Sequence, residues 1–381
     1  MLKVKNISVK NTSELLERAV KVSKAFGFIE LDDALVGLTP KRLKAADKVT
    51  HVYTRDKGVM PTMRKLASRK LQDTKEHILG YNINSSTESA DSFSLNIANT
   101  ENPLAEATLI ATAYTLLNSV GIKDSVVHIN SFGTAESFTR YMRDLTTYFR
   151  KVTKDTPLQV QADLAVSPMR AYARLCKSNK ELAEASPIAV DYLNDDGRSH
   201  LWGLLEYLEG ADIPYVLDNS VVGGTDYFEQ TLFEIKGQTS GNLLAYGGRY
   251  SILGRRAFKK HVPVAGLIID ITGTGARKPK LLKTQPQPQF YFAQLGNKAK
   301  KVGFRVLRTL HNAGIEVGHR ITQEELAKQM SYQEAKDAPY IIIIGQKEAL
   351  EDTVIVRDSS THKQKIVPTD KLVKYLKKLQ C

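Results

Sequence analysis

Residues 243–250 read Leu243-Leu244-Ala245-Tyr246-Gly247-Gly248-Arg249-Tyr250, an apolar strand-like run that ends in a glycine pair. Three further strand-like runs flank it along the chain, at residues 214–217, 227–235 and 264–271. Adjacent runs of this kind, bounded by turn residues, pair as antiparallel neighbours. We therefore expect them to form one largely antiparallel sheet.

Helical patterns lie upstream of these strands and between them. Glycines 27 and 121 stop two of the patterns, as glycine commonly does at a helix C-terminus. Helices inserted into a run of strands predict an α+β domain over residues 1–275, with a helical insertion around 150–212. The helix-like segments are residues 11–27, 103–120 and 134–151, with several more between 168 and 211.

A proline-rich stretch separates this domain from the rest of the chain. Residues 276–289 contain lysines and an alternation of Gln and Pro. Since proline neither continues a helix nor donates to a central strand, this segment is predicted to be an extended linker. Residues 290–381 then alternate strand and helix patterns, and the apolar run 340–344 suits a strand covered on both faces. A small α/β domain with a mixed sheet is expected there.

The composition is that of a globular protein. Its 381 residues are 42% hydrophobic and 25% charged, which excludes wholesale disorder. The net charge is +13, and residues 276–381 contribute +10 of it, with 20 Lys+Arg against 10 Asp+Glu. Such a focused field suits phosphate binding through counterion release. A lysine-rich surface that maintains solubility explains the charge equally well.

Several classes of protein lack support in the sequence. No apolar run reaches the ~18 residues of a membrane helix, and residues 1–6 lack an apolar signal core, so we expect a cytoplasmic protein without membrane contacts. The two cysteines, Cys176 and Cys381, are too few for a disulfide framework and are expected to be reduced thiols. No Walker loop, dinucleotide fingerprint or metal-ligand spacing is present, so no metal site is predicted.

Two glycine pairs, at residues 223–224 and 247–248, lie beside neighbouring strands. Glycine lets a backbone approach a ligand closely, and polar side chains follow both pairs. One interpretation is therefore a substrate pocket, and the other is two tight turns, which the residues alone favour. The pocket would be formed by Asp226, Tyr227, Gly247, Gly248, Arg249 and Tyr250.

The order of these motifs resembles the histidyl-tRNA synthetases, a family of class II aminoacyl-tRNA synthetases. Gly224-Thr225-Asp226-Tyr227-Phe228 is similar to the family's histidine-binding segment, and residues 247–250 with 263–266 are similar to its third class motif. The resemblance implies a class II synthetase-like antiparallel core with inserted helices, a C-terminal anticodon-binding-like domain and a homodimer. It also implies ATP and Mg²⁺ if the protein is catalytically active. Further matching segments are residues 129–141, 186–193 and 201–205, together with the domain that begins at 290.

Neutral residues replace the family's charged residues at several matching positions. The second motif's phenylalanine–arginine–x–glutamate falls on Leu79-Gly80-Tyr81-Asn82, and residues 92–96 stand where a glutamine and a glutamate hold histidine. Two further arginines fall on Gly223 and Gly273, and residues 59–62 replace a leucine–arginine–proline–glutamate. Since arginines stabilise the charge on phosphates during adenylation, the resemblance implies impaired catalysis, and no catalytic residue is assigned.

Three hypotheses for the function follow. The first is a catalytically degenerate histidyl-tRNA synthetase paralogue that binds tRNA or another structured RNA. The second is an active but divergent histidine–tRNA ligase. The third is a regulatory subunit of ATP phosphoribosyltransferase, but that subunit family typically lacks an anticodon-type domain, so residues 290–381 argue against it.

Basic residues of the C-terminal domain are the candidates for RNA contact. Four lysines near the C-terminus, Lys371, Lys374, Lys377 and Lys378, are instead interpreted as a solvated helix face. Neutralising Lys298, Lys301 and Arg305 together is predicted to weaken RNA binding and its salt dependence. The full set of predicted RNA-binding residues is Lys298, Lys300, Lys301, Arg305, Arg308, Arg320 and Lys328.

Overall fold

The computed structural model contains two β-sheets, each with helices packed against it. None of the helices in the described part of the chain is long and apolar enough to cross a membrane. The predicted linker lies almost wholly outside the described residues. The structure describes residues 12–31, 66, 76–85, 90–222, 229–251, 255, 260–271, 288–323 and 325–380.

The first sheet has eight strands in the order β1-β2-β3-β8-β7-β6-β4-β5. All of its pairs from β2 to β4 are antiparallel, and the short edge strands β1 and β5 pair in parallel with β2 and β4. The predicted α+β class with a largely antiparallel sheet is therefore confirmed. The strands are β1 Ile29–Glu30, β2 Ile78–Ser85, β3 Ala90–Ala98, β4 Ser125–Gly133, β5 Tyr215–Leu217, β6 Glu229–Gly237, β7 Leu243–Arg249 and β8 Val264–Asp270.

Asparagine side chains cap two of the helices in this part of the chain. Asn179 Oδ1 accepts a hydrogen bond from the backbone of Leu182 at 3.1 Å, and Asn194 Oδ1 accepts one from Gly197 at 3.1 Å. The helices are α1 Thr12–Ala25, α2 Leu104–Ser119, α3 Ala135–Val152, α4 Leu158–Leu164, α5 Pro168–Ser178, α6 Lys180–Glu184 and α7 Asp195–Gly210.

The two faces of the eight-stranded sheet differ in polarity because β3 alternates polar and apolar residues. Its Phe93, Leu95 and Ile97 pack into the main core together with α2, whose residues from Leu104 to Leu117 are all buried. The intervening residues Ser92, Ser94 and Asn96 fall on the other face of the sheet. One face is therefore an apolar core and the other carries buried polar groups.

The C-terminal part of the chain forms the second sheet, of five strands in the order β10-β9-β11-β12-β13. The strands β10, β9 and β11 are parallel, while β12 and β13 form an antiparallel hairpin, so the predicted mixed sheet is present. Its elements are β9 Phe290–Gln294, α8 Asn297–Asn312, β10 Val317–His319, α9 Leu326–Lys336, β11 Tyr340–Ile344, α10 Gln346–Leu350, β12 Thr353–Asp358, β13 Gln364–Pro368 and α11 Thr369–Leu379.

Helix α8 joins this second unit to the first. The rings of Phe304 on α8 and Tyr207 on α7 pack edge to face with centroids 6.2 Å apart. At the β10 edge, His319 Nε2 donates to the carbonyl of Ala25 at 3.0 Å, at the C-terminus of α1. One edge of the five-stranded sheet therefore faces the first domain, and the β13 edge lies at the opposite end of the strand order.

Candidate functional site

On β2 and β3, the polar face of the eight-stranded sheet carries neutral amides and hydroxyls. In the register of β2 and β3, Asn82 pairs with Ser94 and Asn84 pairs with Ser92. Asn84 Nδ2 donates to the hydroxyls of Ser92 and Ser94 at 3.1 and 3.3 Å. Asn82 is 1% exposed and both serines are fully buried. We call this set, together with Asn96 on β3, the polar floor.

Gly80, next to the polar floor on β2, has no room for a side chain. A Cβ atom at this position would lie 2.4 Å from Cδ1 and 2.5 Å from Cγ of Leu31. Leu31 is itself buried and donates its backbone N–H to the carbonyl of Tyr81 at 3.0 Å. The second-motif resemblance placed an arginine at this position, and Leu31 fills the space that its stem would need.

Tyr250 directly follows β7, and its side chain packs on the polar floor. Its hydroxyl donates to Asn96 Oδ1 at 2.6 Å, and burial raises the pKa of this phenol above its usual value, so it stays protonated. Gly266 allows this approach, because a Cβ there would lie 2.6 Å from Asn96 Oδ1 and 2.8 Å from Tyr250 Cε1. Asn96 Nδ2 is buried and has no hydrogen-bond partner among the residues that the structure describes. The side chain of Tyr250, one of the predicted pocket residues, therefore contacts the polar floor.

Gly247 contributes close packing on the opposite face. A Cβ there would lie 2.2 Å from the carbonyl oxygen of Gly266 and 2.7 Å from Phe233 Cζ. Phe233 belongs to the apolar core. The glycine at 247 is therefore explained by packing between strands, while its neighbour Gly248 pairs with Gly266 and Leu232 in the ladder.

The Arg249 side chain points away from the polar floor into the core. Its Nε and Nη2 donate to the two carboxylate oxygens of Glu106 at 2.9 and 2.6 Å, and its Nη1 donates to the carbonyl of Thr100 at 2.8 Å. Its side chain is 2% exposed. The guanidinium therefore serves a buried ion pair with α2 rather than an open surface.

Glu106 also accepts from His200 Nε2 at 2.8 Å, so one carboxylate joins α2, β7 and α7. Burial raises the pKa of this carboxyl, but the charges of Arg249 and His200 outweigh that effect and lower it to about 2. The sequence analysis did not single out Glu106 or His200. The available signal was a glutamate within an otherwise apolar helix, which indicates a paired charge.

A second polar network, also absent from the sequence predictions, lies at the β4–β6 end of the sheet. His128 Nδ1 lies 2.8 Å from Asp218, and Lys236 Nζ bridges Glu234 at 3.0 Å and Asp218 at 3.6 Å. Burial raises the pKa of Asp218, but hydrogen bonds from Ser220 and His128 outweigh it, so the net shift is downward. These opposite charges are satisfied within the sheet.

Part of the predicted pocket lies outside the described residues. This applies to Asp226 and Tyr227, to the adjacent position 223, and to the motif positions 59–62 and 273. Within the described residues, no group of three His, Cys, Asp or Glu side chains is arranged to hold a metal ion. The side chains of the polar floor are neutral, and Asp270 of β8, which pairs with Ser92 in the register, falls on the same face of the sheet.

The predicted RNA-binding residues on α8 mostly face other parts of the protein. Lys301 forms an ion pair with Glu206 of α7, and Arg305 forms one with Asp352. The guanidinium of Arg308 lies 5.2 Å from the ring centroid of Tyr114, and burial lowers its pKa. Lys300 is buried and Lys298 is exposed.

The other two candidates lie outside α8 and are paired as well. Arg320 lies 3.6 Å from Glu76 of the first domain, and Lys328 lies 2.6 Å from Glu325 on its own segment. The structure therefore does not gather the seven candidates into one open surface. Their role in RNA contact stays a prediction.

Comparison with known proteins finds similarity over most of the chain. A family model described as an anticodon binding domain matches residues 289–379. The histidine–tRNA ligase of Streptococcus mutans is 29% identical over 273 residues, which make up 69% of this chain and 62% of that protein. The histidine–tRNA ligase of Caldicellulosiruptor bescii is 29% identical over 294 residues, covering 76% of this chain and 70% of that protein.

The overall architecture also matches a solved structure. The crystal structure of apo S. aureus histidyl-tRNA synthetase superposes with a TM-score of 0.52 at 20% sequence identity, covering 98% of this chain and 99% of that one. At this identity the match concerns the fold. The expected class II synthetase-like core with a C-terminal anticodon-binding domain is therefore confirmed.

Proposed function

We propose that this chain, which belongs to the histidyl-tRNA synthetase family, binds tRNA through its C-terminal domain and activates histidine poorly. The match of residues 289–379 to an anticodon binding domain supports the first half of the proposal. The charge of that region supports it too, since residues 276–381 carry a net charge of +10.

The geometry at Gly80 is the observation that carries the second half. The resemblance expects an arginine there, and Leu31 atoms lie 2.4–2.9 Å from where its Cβ would be. The nearby Asn82, Ser94 and Asn96 are neutral and buried. Each lost charge-assisted contact to a transferring phosphoryl group costs about 3 kcal/mol. Three such losses would slow adenylation by about six orders of magnitude, at roughly 1.4 kcal/mol per factor of ten.

Histidine-dependent exchange of ATP and pyrophosphate tests the proposal. The purified chain should show an exchange rate at least about a thousandfold below that of a histidine–tRNA ligase assayed beside it. The same preparation should bind a histidine tRNA transcript in a salt-dependent manner. Exchange at the rate of the reference ligase would refute impaired catalysis, and absence of salt-dependent tRNA binding would refute the RNA-binding half.

An active, divergent histidine–tRNA ligase is the second candidate. The relatives named histidine–tRNA ligase favour it, because they match about three quarters of this chain. In that case ATP and Mg²⁺ would be bound with the help of residues outside the described part of the pocket, and charging of tRNA with histidine would be observed. The presence of the anticodon binding domain disfavours the third candidate, a regulatory subunit of ATP phosphoribosyltransferase, which co-purification with that enzyme would revive.

Two further parts complete the proposal. We propose a homodimer, which the family resemblance implies, and a cytoplasmic location, which the sequence leads us to expect. Light scattering on the purified chain tests the first, since a monomer at micromolar concentration would contradict it. Fractionation of cells that express the tagged chain tests the second.

A further inference from the structure

We propose that the RNA phosphate backbone docks on the far edge of the C-terminal domain, formed by β13 and α11, and not on α8. This inference rests on the proposed tRNA binding and specifies the surface that makes it. We call the surface the distal lysine face. It consists of the exposed residues Lys363, Lys365, Lys371, Lys374, Lys377 and Lys378.

Helix α8 is occupied by the contact between the two domains. Lys301 is paired with Glu206, and Arg308 lies over the ring of Tyr114. A phosphate would have to break these contacts before it could bind there. Among the described lysines and arginines of α8 that the sequence analysis selected for RNA contact, Lys298 is the exposed one. It has no ion-pair or ring partner within the described residues.

The distal lysine face has the opposite character. Residues 363–378 hold six lysines and one acidic residue, Asp370, a local net charge of +5 by subtraction. Apart from Lys377, none of these lysines has a carboxylate within ion-pair distance in the part of the chain that the structure describes. The ammonium groups of Lys363, Lys371, Lys374 and Lys378 are therefore available to an external anion.

Helix and strand contribute to one continuous surface. Leu372 and Leu376 are the buried face of α11, which leaves the lysine positions on its outer side. Lys365 of β13 extends toward this helix, and its Nζ lies 5.1 Å from the ring centroid of Tyr375. Lys371, Lys374 and Lys378 follow the i, i+3, i+7 spacing of one helix face, over about 10 Å of helix axis at 1.5 Å per residue.

General stabilising effects do not explain this arrangement. The helix dipole favours lysine in the last turn, as at Lys377 and Lys378, but it disfavours Lys371 in the first turn. Like charges at i, i+3 and i, i+4 spacing also repel. A bound polyanion would remove both penalties.

RNA fits this face better than a membrane does. Ile366, at 57% exposure, is the exposed large apolar side chain on β13 and α11. Peripheral membrane binding needs an apolar face that inserts between lipids, which one isoleucine does not provide. The family's anticodon binding domain, matched over residues 289–379, contains the whole surface.

Two matched triple variants test the location. Lys371→Gln, Lys374→Gln and Lys378→Gln remove three charges from the distal lysine face, and Lys298→Gln, Lys301→Gln and Arg305→Gln remove three from α8. Filter binding of a labelled histidine tRNA transcript is measured from 0.05 to 0.3 M salt. The distal variant should lower the salt slope by about 2 to 3 and weaken binding about a hundredfold at 0.1 M salt. The α8 variant should change binding less than about fivefold.

Controls separate location from general charge. A triple variant of exposed lysines elsewhere, Lys123→Gln, Lys154→Gln and Lys347→Gln, should resemble the wild type, and a distal Lys→Arg triple should retain binding. Equal effects of all three Gln triples, or a larger effect of the α8 triple, would overturn the distal site while leaving tRNA binding in place. Absence of wild-type tRNA binding would overturn the proposed function as well. Tight binding to phosphatidylserine vesicles without tRNA binding would overturn both in favour of a membrane surface.

Discussion

Replacing Arg249 by methionine should destabilise the first domain, because the arginine belongs to a buried ion pair. Its Nε and Nη2 donate to Glu106 at 2.9 and 2.6 Å, and the two side chains are 2% and 0% exposed. Methionine preserves much of the apolar stem but removes the charge. Glu106 would then stay buried with His200 as its remaining side-chain hydrogen-bond partner.

Removing one partner of a buried ion pair costs about 3–5 kcal/mol. The pKa of Glu106 agrees in direction, because burial alone would raise it, whereas Arg249 and His200 together lower it to about 2. We therefore expect the free energy of unfolding to fall by about 3 kcal/mol.

Urea unfolding followed by circular dichroism measures this cost through the transition midpoint at constant slope. Glu106→Leu should cost a similar amount, and the double variant should recover much of the loss, because an apolar pair often replaces a buried ion pair without penalty. Arg143→Met is a matched control. Its pairing with Asp144 spans 3.0 Å but is largely exposed, so the change should cost less than about 1 kcal/mol.

Acid provides an independent check with a defined sign. Because folding lowers the pKa of Glu106, its stabilising contribution is complete above pH 4.5 and is lost as the pH falls toward 2. Arg249→Met should lose most of this dependence. Wild-type urea resistance in Arg249→Met, combined with a defect in ligand binding alone, would refute the reasoning and return Arg249 to the substrate pocket.

Three further predictions concern other contacts. Gly80→Ala should destabilise the chain by about 1–3 kcal/mol through overlap with Leu31, and less in a Leu31→Ala background, as a urea double-mutant cycle would show; additive effects would contradict the overlap. Burial lowers the pKa of His319 from 6.5 to about 4, although its hydrogen bond to Ala25 opposes this shift. The contribution of neutral His319 to the free energy of unfolding should therefore be fully present above pH 6.5 and be lost as the pH falls to 4. A His319→Gln variant with the same pH profile would rule out that cause. Lys301→Ala should lower the free energy of unfolding by at most about 1 kcal/mol, because its ion pair with Glu206 is partly exposed to solvent. A larger loss, measured by thermal unfolding, would show that water does not reach this pair.

The strand patterns of the sequence were sufficient for the fold class but not for the roles of the side chains. The hairpin at 353–367 and the antiparallel pairing of β6, β7 and β8 are local patterns, and the structure contains both. The run at 214–217, expected to join that antiparallel series, instead pairs in parallel with β4 as an edge strand. The motif at 247–250 also lies in one strand and its end, as its residue types predict. Local alternation carries this information because a strand sets the face of each residue.

Partners that are distant in sequence could not be predicted in this way. Arg249 and Glu106 are 143 residues apart, and Lys301 and Glu206 are 95 apart. A basic residue on the polar face of an amphipathic helix gives the same sequence pattern whether that face contacts solvent, another domain or RNA. The sequence alone therefore could not decide between RNA contact and solvent for the basic faces of α8 and α11, because that choice depends on how the two domains pack.

The packing around Gly80 opposes the arginine that the family resemblance expects at this position. An arginine at position 80 requires Leu31 to move, yet Leu31 is 2% exposed, and truncating it to alanine would cost about 2–5 kcal/mol as a buried apolar residue. Even with that space open, the introduced guanidinium would lie beside Asn82 and Ser94, which carry no compensating charge. A Gly80→Arg, Leu31→Ala variant should therefore lose stability without gaining ATP–pyrophosphate exchange. If exchange appeared in that variant and not in the wild type, a single missing arginine would account for the proposed defect, and the neutral polar floor would be compatible with adenylation.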